Sequence, residues 1–118
     1  MPMLQLCTLA DLPEGSARGF AVLHTHVLAV RDHRGVYVYL NRCPHLGVPL
    51  QWQEDRFLDE DSNFIRCASH GALFERATGL CLQGPCQGDS LWQIESRIED
   101  EAVFIDDDEL PTSPAVYR

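Results

Sequence analysis

The chain has 118 residues, enough for one domain that hides roughly two-thirds of its unfolded surface, and its 45% hydrophobic and 23% charged shares are those of a globular protein. Eighteen Asp and Glu face nine basic residues, every one an arginine, so a net charge of -9 disfavours nucleic-acid phosphates and anionic lipid and favours partners with basic surfaces. The longest apolar run, Val36-Tyr37-Val38-Tyr39-Leu40, is far short of the roughly 20 residues of a spanning helix, which argues against a membrane protein. Asp11, Pro13 and Glu14 interrupt the N-terminal stretch where a secretory signal would need an apolar run, so the expected location is cytoplasmic. Five cysteines, an odd count, fit a disulfide-stapled secreted scaffold poorly.

In chain order, the apolar residues recur mostly with period two between closely spaced turn residues, which predicts an all-β domain. Leu4 and Leu6 alternate with Met3 and Gln5 in a first short strand, and Asp11-Leu12-Pro13-Glu14-Gly15 breaks it with turn chemistry. Residues 20–24 and 27–30 read as the next strands. Asp32-His33-Arg34-Gly35 reads as a hairpin turn into 36–40, whose β-branched and aromatic content fits a strand buried on both sides. Pro44, Gly47 and Pro49 make the following stretch irregular, and residues 53–63 read as an acidic loop. Strands are expected at 64–66, 73–76, 79–83, 91–98 and 102–106, with turns at Ala77-Thr78-Gly79 and Gly84-Pro85. The domain is thus expected to span residues 1–106, and residues 107–118, acidic and then Pro-containing without periodicity, read as a tail.

Two short boxes carry the chemistry: Cys43-Pro44-His45-Leu46-Gly47 and Cys67-Ala68-Ser69-His70-Gly71. Each pairs one thiol with one imidazole on a loop that leaves a strand, where a rigid sheet can aim it. A structural zinc site is the common outcome for a Cys2His2 set, but zinc knuckles usually group like ligands, whereas both of these boxes are mixed. In a [2Fe-2S] centre with two Cys on one iron and two His on the other, each mixed loop can supply one ligand to each iron. Gly47 and Gly71 suit close approach of backbone to an inorganic cluster, and Leu46 and Leu73 are candidates for an apolar lid. A Cys67/His70 nucleophile and base would explain only the second box. Cys81 and Cys86, which flank Gly84-Pro85, read as packed thiols rather than a redox pair, Cys7 reads as a strand residue, and His24 and His26 lack a third ligand.

Together with the Val38 to Cys43 approach, the Gly71-Ala72-Leu73-Phe74 exit, the Thr78-Gly79 turn, Gly84-Pro85 and the closing stretch 91–106, these boxes resemble a Rieske-type [2Fe-2S] ferredoxin. The resemblance implies a small antiparallel sandwich with a cluster-binding lobe formed by two loops. It implies one [2Fe-2S] cluster, with Cys43 and Cys67 on the buried iron, His45 and His70 on the outer iron, and a proline loop at Gly84-Pro85 over the third side. Val48 and Ser69 stand where high-potential members carry a disulfide, and Ala72 and Phe74 stand where they carry hydroxyl donors. A potential at the low end of the Rieske range, nearer roughly -150 mV than +300 mV, is therefore expected. Two other departures leave the ligands intact: an apparent insertion around residues 54–62, read as a tolerated surface loop, and Ala68 in place of a frequent proline.

The function implied is that of an electron carrier rather than an enzyme, passing one electron from a reductase to a terminal oxygenase or another redox enzyme through the histidine edge. The small subunit of an NADH-dependent nitrite reductase, or a zinc module on the same four residues, are the alternatives.

Overall fold

The computed structural model describes residues 3–22, 25–41, 58, 64–67, 72–84 and 88–106. Among them the chain forms ten strands: β1 (Met3–Thr8), β2 (Ala17–Val22), β3 (Thr25–Asp32), β4 (Gly35–Leu40), β5 (Phe64–Arg66), β6 (Leu73–Glu75), β7 (Cys81–Gln83), β8 (Gln93–Ile94), β9 (Ser96–Glu99) and β10 (Ala102–Asp106). The one helical element among the described residues is a 3-10 turn at Leu9–Asp11, held by the Asp11 carboxylate, which accepts from the Thr8 backbone N–H at 3.1 Å and the Thr8 hydroxyl at 3.0 Å. It swings Leu12 inward to complete burial.

All the strand pairs are antiparallel and fall into three sheets, ordered β1-β10-β9, β2-β3-β4-β8 and β5-β6-β7. The four-stranded sheet is the middle layer. On β3, Val27 and Ala29 face a core shared with Val103 and Ile105 of β10, while Leu28 and Val30 face a second core shared with Ile65, Phe74 and Leu91. Strand alternation with apolar residues on both faces produces the continuous apolar run in β3. β4 behaves the same way over its last three residues: Val38 and Leu40 enter the first core and Tyr39 the second, while Val36 and Tyr37 are half-buried.

The three-stranded lobe β5-β6-β7 is fastened to the middle layer through Tyr39. Its ring is fully buried, and its hydroxyl donates to the Arg76 carbonyl at 2.6 Å in the turn between β6 and β7. Burial raises the Tyr39 phenol well above the ordinary range, so it stays protonated as a donor. Gly79 lies against the same ring: a β-carbon there would sit 2.8 Å from Tyr39 Cε1, and the φ of +75° is a conformation glycine adopts freely. Tyr39→Phe should keep the ring packing, leave the Arg76 carbonyl without this donor, and lower stability by about 1–2 kcal/mol. The check is a lower urea midpoint at unchanged slope.

Several strand limits differ from expectation. The predicted 20–24 strand is Ala17–Val22, because pairing of Ala17 with Val30 and of Val22 with Thr25 sets its ends. The predicted 27–30 strand extends to Thr25–Asp32 for the same reason. The expected single strand at 91–98 is two: β8 pairs with β4 and β9 pairs with β10, so the chain changes sheets at Glu95. The strands expected at 73–76 and 79–83 shorten to Leu73–Glu75 and Cys81–Gln83, flanking a wider turn. The tail at 107–118 and most of the 53–63 loop lie outside the described residues.

Candidate metal centre

The second box begins where β5 ends. Alternation along the strand points Ile65 and Cys67 inward and Arg66 outward, and Cys67 is 0% exposed. The Cys67 backbone N–H donates to the Ala72 carbonyl at 2.9 Å, which closes a neck between these two residues. Phe74, two residues beyond the neck on β6, is also fully buried, whereas Leu73, the lid candidate, is half-buried. The rest of the second box, Ala68, Ser69, His70 and Gly71, lies in sequence between the two residues of the neck and outside the described residues.

The first box is delivered by β4. The Leu40 N–H donates to the Trp92 carbonyl at 2.9 Å and the Asn41 N–H to the His26 carbonyl at 3.0 Å, so pairing on both sides holds the strand up to two residues before Cys43. Cys43, His45, Leu46, Gly47 and Val48 lie outside the described residues. Tyr39 of this strand and Cys67 of the other belong to the same apolar cluster, so both stems leave from one core.

The turn after β7 leans on the same neck. Cys81 N–H donates to the Asp89 carbonyl at 2.8 Å and Gly88 N–H donates to the Cys81 carbonyl at 3.3 Å, which pins the base of the loop holding Pro85 and Cys86, themselves outside the described residues. Gly84 has a φ of +113°, and a β-carbon on it would lie 2.8 Å from Ala72 Cα and 2.9 Å from Ala72 Cβ. Only a glycine lets this loop close down on the Cys67–Ala72 neck. Sequence reading marked Gly84-Pro85 as a turn but not this contact, whose one sequence signal was the glycine itself.

These observations fit an iron–sulfur group. A thiolate fully removed from water is costly unless a cation faces it, and a cluster iron supplies that charge. The donor set of two thiols and two imidazoles suits a two-iron centre. Among the described residues no three His, Cys, Asp or Glu converge, as expected when three of the four candidate ligands lie outside them.

The other thiols sit elsewhere. Cys7 is buried in the first core, where burial and then the Asp11 charge push its thiol up against the opposing pull of Arg18, so it remains a protonated core residue. Cys81 is buried in the Cys67 cluster with its Sγ 3.4 Å from the Gln83 carbonyl. His26 is exposed on β3, and His24 lies outside the described residues. Complete burial of Cys67 also argues against its use as a nucleophile, which a substrate would have to reach.

Residues 3–105 match the family described as the Rieske [2Fe-2S] domain. The chain is 32% identical over 100 residues to Apoptosis-inducing factor 3 of Homo sapiens, a match covering 85% of this chain and 16% of that protein. It is 29% identical over 107 residues to the 3-phenylpropionate/cinnamic acid dioxygenase ferredoxin subunit of Shigella boydii serotype 4 (strain Sb227), covering 90% of this chain and 94% of that one. The chain thus spans about one-sixth of the first relative and nearly all of the second. The ferredoxin of carbazole 1,9a-dioxygenase from Nocardioides aromaticivorans IC177 superimposes with a TM-score of 0.73 at 24% identity, over 89% of this chain and 97% of that one, a likeness of fold.

Proposed function

Because the chain belongs to the Rieske [2Fe-2S] domain family, whose cofactor is one [2Fe-2S] cluster, we propose that it is a one-electron carrier between a reductase and a terminal oxygenase, with Cys43, His45, Cys67 and His70 as the cluster ligands. The observation that carries the ligand assignment is the dry Cys67 at the neck of a hairpin whose loop holds His70. The dioxygenase ferredoxin subunit that matches almost end to end supports the choice of an oxygenase as acceptor. When bound, the cluster supplies a site that takes up and releases one electron. The core around Ile65, Cys67 and Phe74 would keep water from that site, and His45 and His70 would form its edge toward a partner.

Two further points follow from the same residues. Ala72 and Phe74 are both fully buried and bring no hydroxyl to the site, so the potential belongs at the low end of the Rieske range. The excess of acidic residues calls for a donor and an acceptor with basic docking faces, and association should weaken as salt rises. We place the protein in the cytoplasm, where an odd number of thiols is maintained in the reduced state; among the described residues no helix is long and apolar enough to cross a membrane.

The test is spectroscopic. Anaerobically purified and reconstituted protein should bind two irons and two sulfides per chain, give a rhombic EPR signal after dithionite reduction, and titrate near about -150 mV. Colourless protein with stoichiometric zinc and no sulfide would overturn the carrier reading, and a midpoint above about +100 mV would overturn the low potential inferred from Ala72 and Phe74.

A further inference from the structure

Four large hydrophobic side chains are exposed among the described residues, and three of them occupy one strip. Leu80 is 42% exposed, Leu82 40% and Trp92 43%; the fourth, Ile98, is on β9 in another sheet. The register explains the grouping. Leu80 is bridged to Ser90, Cys81 N–H bonds the Asp89 carbonyl and Leu91 N–H bonds the Gly79 carbonyl, so residues 79–82 run antiparallel to residues 88–92. Cys81 and Leu91 point into the core, and by alternation Leu80, Leu82 and Trp92 point out on the opposite face.

From this strip we propose a docking surface for the protein's redox partner, the partner face being an apolar patch ringed by lysine or arginine. The proposal rests on the electron-carrier reading above and deepens it by naming where contact is made. Two observations select this occupant. The strip is continuous with the lobe that carries Cys67: Leu82 is two residues before Gly84, which packs on the Cys67–Ala72 neck, so a protein seated on the strip lies beside that neck. Its border on β6 is acidic: Glu75, whose N–H donates to the Leu80 carbonyl, is exposed, on a chain of net charge -9. Arg66 is the one exposed cation among the lobe's described residues, on β5 at the far side of the sheet from β7. An apolar centre with a charged rim is the usual anatomy of a specific contact, and the acidic rim here rejects acidic proteins and accepts basic ones.

Cytochrome c, a basic protein with lysines around an apolar haem edge, serves as the probe. Dithionite-reduced holoprotein, freed of excess reductant, is mixed with ferricytochrome c in stopped flow; one electron leaves the cluster and one reduces the haem iron. The double variant Leu80→Ser, Leu82→Ser should lower the bimolecular rate about fivefold or more, while Ile98→Ser leaves it unchanged. Iron content, EPR signal and midpoint potential should match the parent in both variants, since neither touches the core. A double variant that reacts within about twofold of the parent would refute the docking surface. A parent dimer in sedimentation that the double variant dissolves would overturn it too, by assigning the strip to a second copy. EPR recorded before mixing keeps the two readings apart: absence of a cluster signal in the parent refutes the carrier function, whereas a normal signal with an unaffected rate refutes only the strip.

Discussion

Cys67→Ala should abolish cluster binding, while Cys81→Ala, in the same buried cluster, should keep it. Both thiols are almost fully removed from solvent, and both substitutions take one sulfur from the packing around Tyr39 and Phe74. As packing changes they are nearly equivalent, each costing about 1–2 kcal/mol. They differ in place. Cys67 stands at the neck of the loop that carries His70, with its N–H on the Ala72 carbonyl, whereas the Cys81 Sγ lies 3.4 Å from the Gln83 carbonyl of its own strand. Loss of a thiolate ligand removes an iron bond that no neighbouring carbonyl or hydroxyl replaces, so the Cys67 variant should purify without sulfide and without EPR signal. Iron and sulfide analysis of the two variants side by side decides the point. Equal cluster occupancy in both would remove Cys67 from the ligand set, and loss in both would show that the core, not the ligand, was being measured.

Gly84→Val should be strongly damaging although it leaves every candidate ligand in place. Two effects add. The φ of +113° is a conformation that side-chain-bearing residues rarely adopt, costing about 1–2 kcal/mol. The new β-carbon would meet Ala72 Cα at 2.8 Å, a backbone atom that cannot rotate away, which adds about 1–3 kcal/mol of overpacking. Because Ala72 forms the neck with Cys67, relief of the clash must move the hairpin or lift the loop after Gly84 away from it. The expected result is a loss of about 2–5 kcal/mol in stability, accompanied by faster bleaching of the cluster in air. Gly88→Ala is the matched control: its φ of +97° carries comparable strain, but nothing lies within 4 Å of the new β-carbon. Its cost should be the backbone share alone, about 1–2 kcal/mol, with bleaching at the parent rate. If both variants bleach alike, the contact of Gly84 with Ala72 does not protect the cluster.

The electron-carrier reading draws on the family, but its physical requirements are met by a small number of local features. A dry thiol, a pinned loop neck and a glycine without room for a side chain all converge on residues 67–84. The strip of Leu80, Leu82 and Trp92 lies on the opposite face of that same stretch. Strand alternation makes this division automatic: one face of β7 and its partner seals the lobe with Cys81 and Leu91, and the other remains available for contact.

The all-β class was legible from the residues alone, because period-two alternation and turn residues are local and survive without knowledge of neighbours. So was the chemistry, because two mixed Cys and His boxes constrain metal type whatever the exact fold. Strand limits were less legible. The Ala17–Val22 strand begins before its apolar residues do, since Ala17 and Arg18 are ordered by pairing with Val30 and Ala29 rather than by burial. The continuous stretch 91–98 hid a change of sheet, because hydrogen bonds to β4 on one side and β10 on the other are non-local and leave no mark on propensity. Nor could spacing show that Tyr39 bolts the lobe to the middle sheet through Arg76, 37 positions away, or that Gly84 closes on Ala72. Those contacts exist only once the sheets are stacked. Residue type therefore decided which group the protein can hold, and tertiary packing decided how dry Cys67 is, which loop leans on its hairpin and which apolar face is left for a partner.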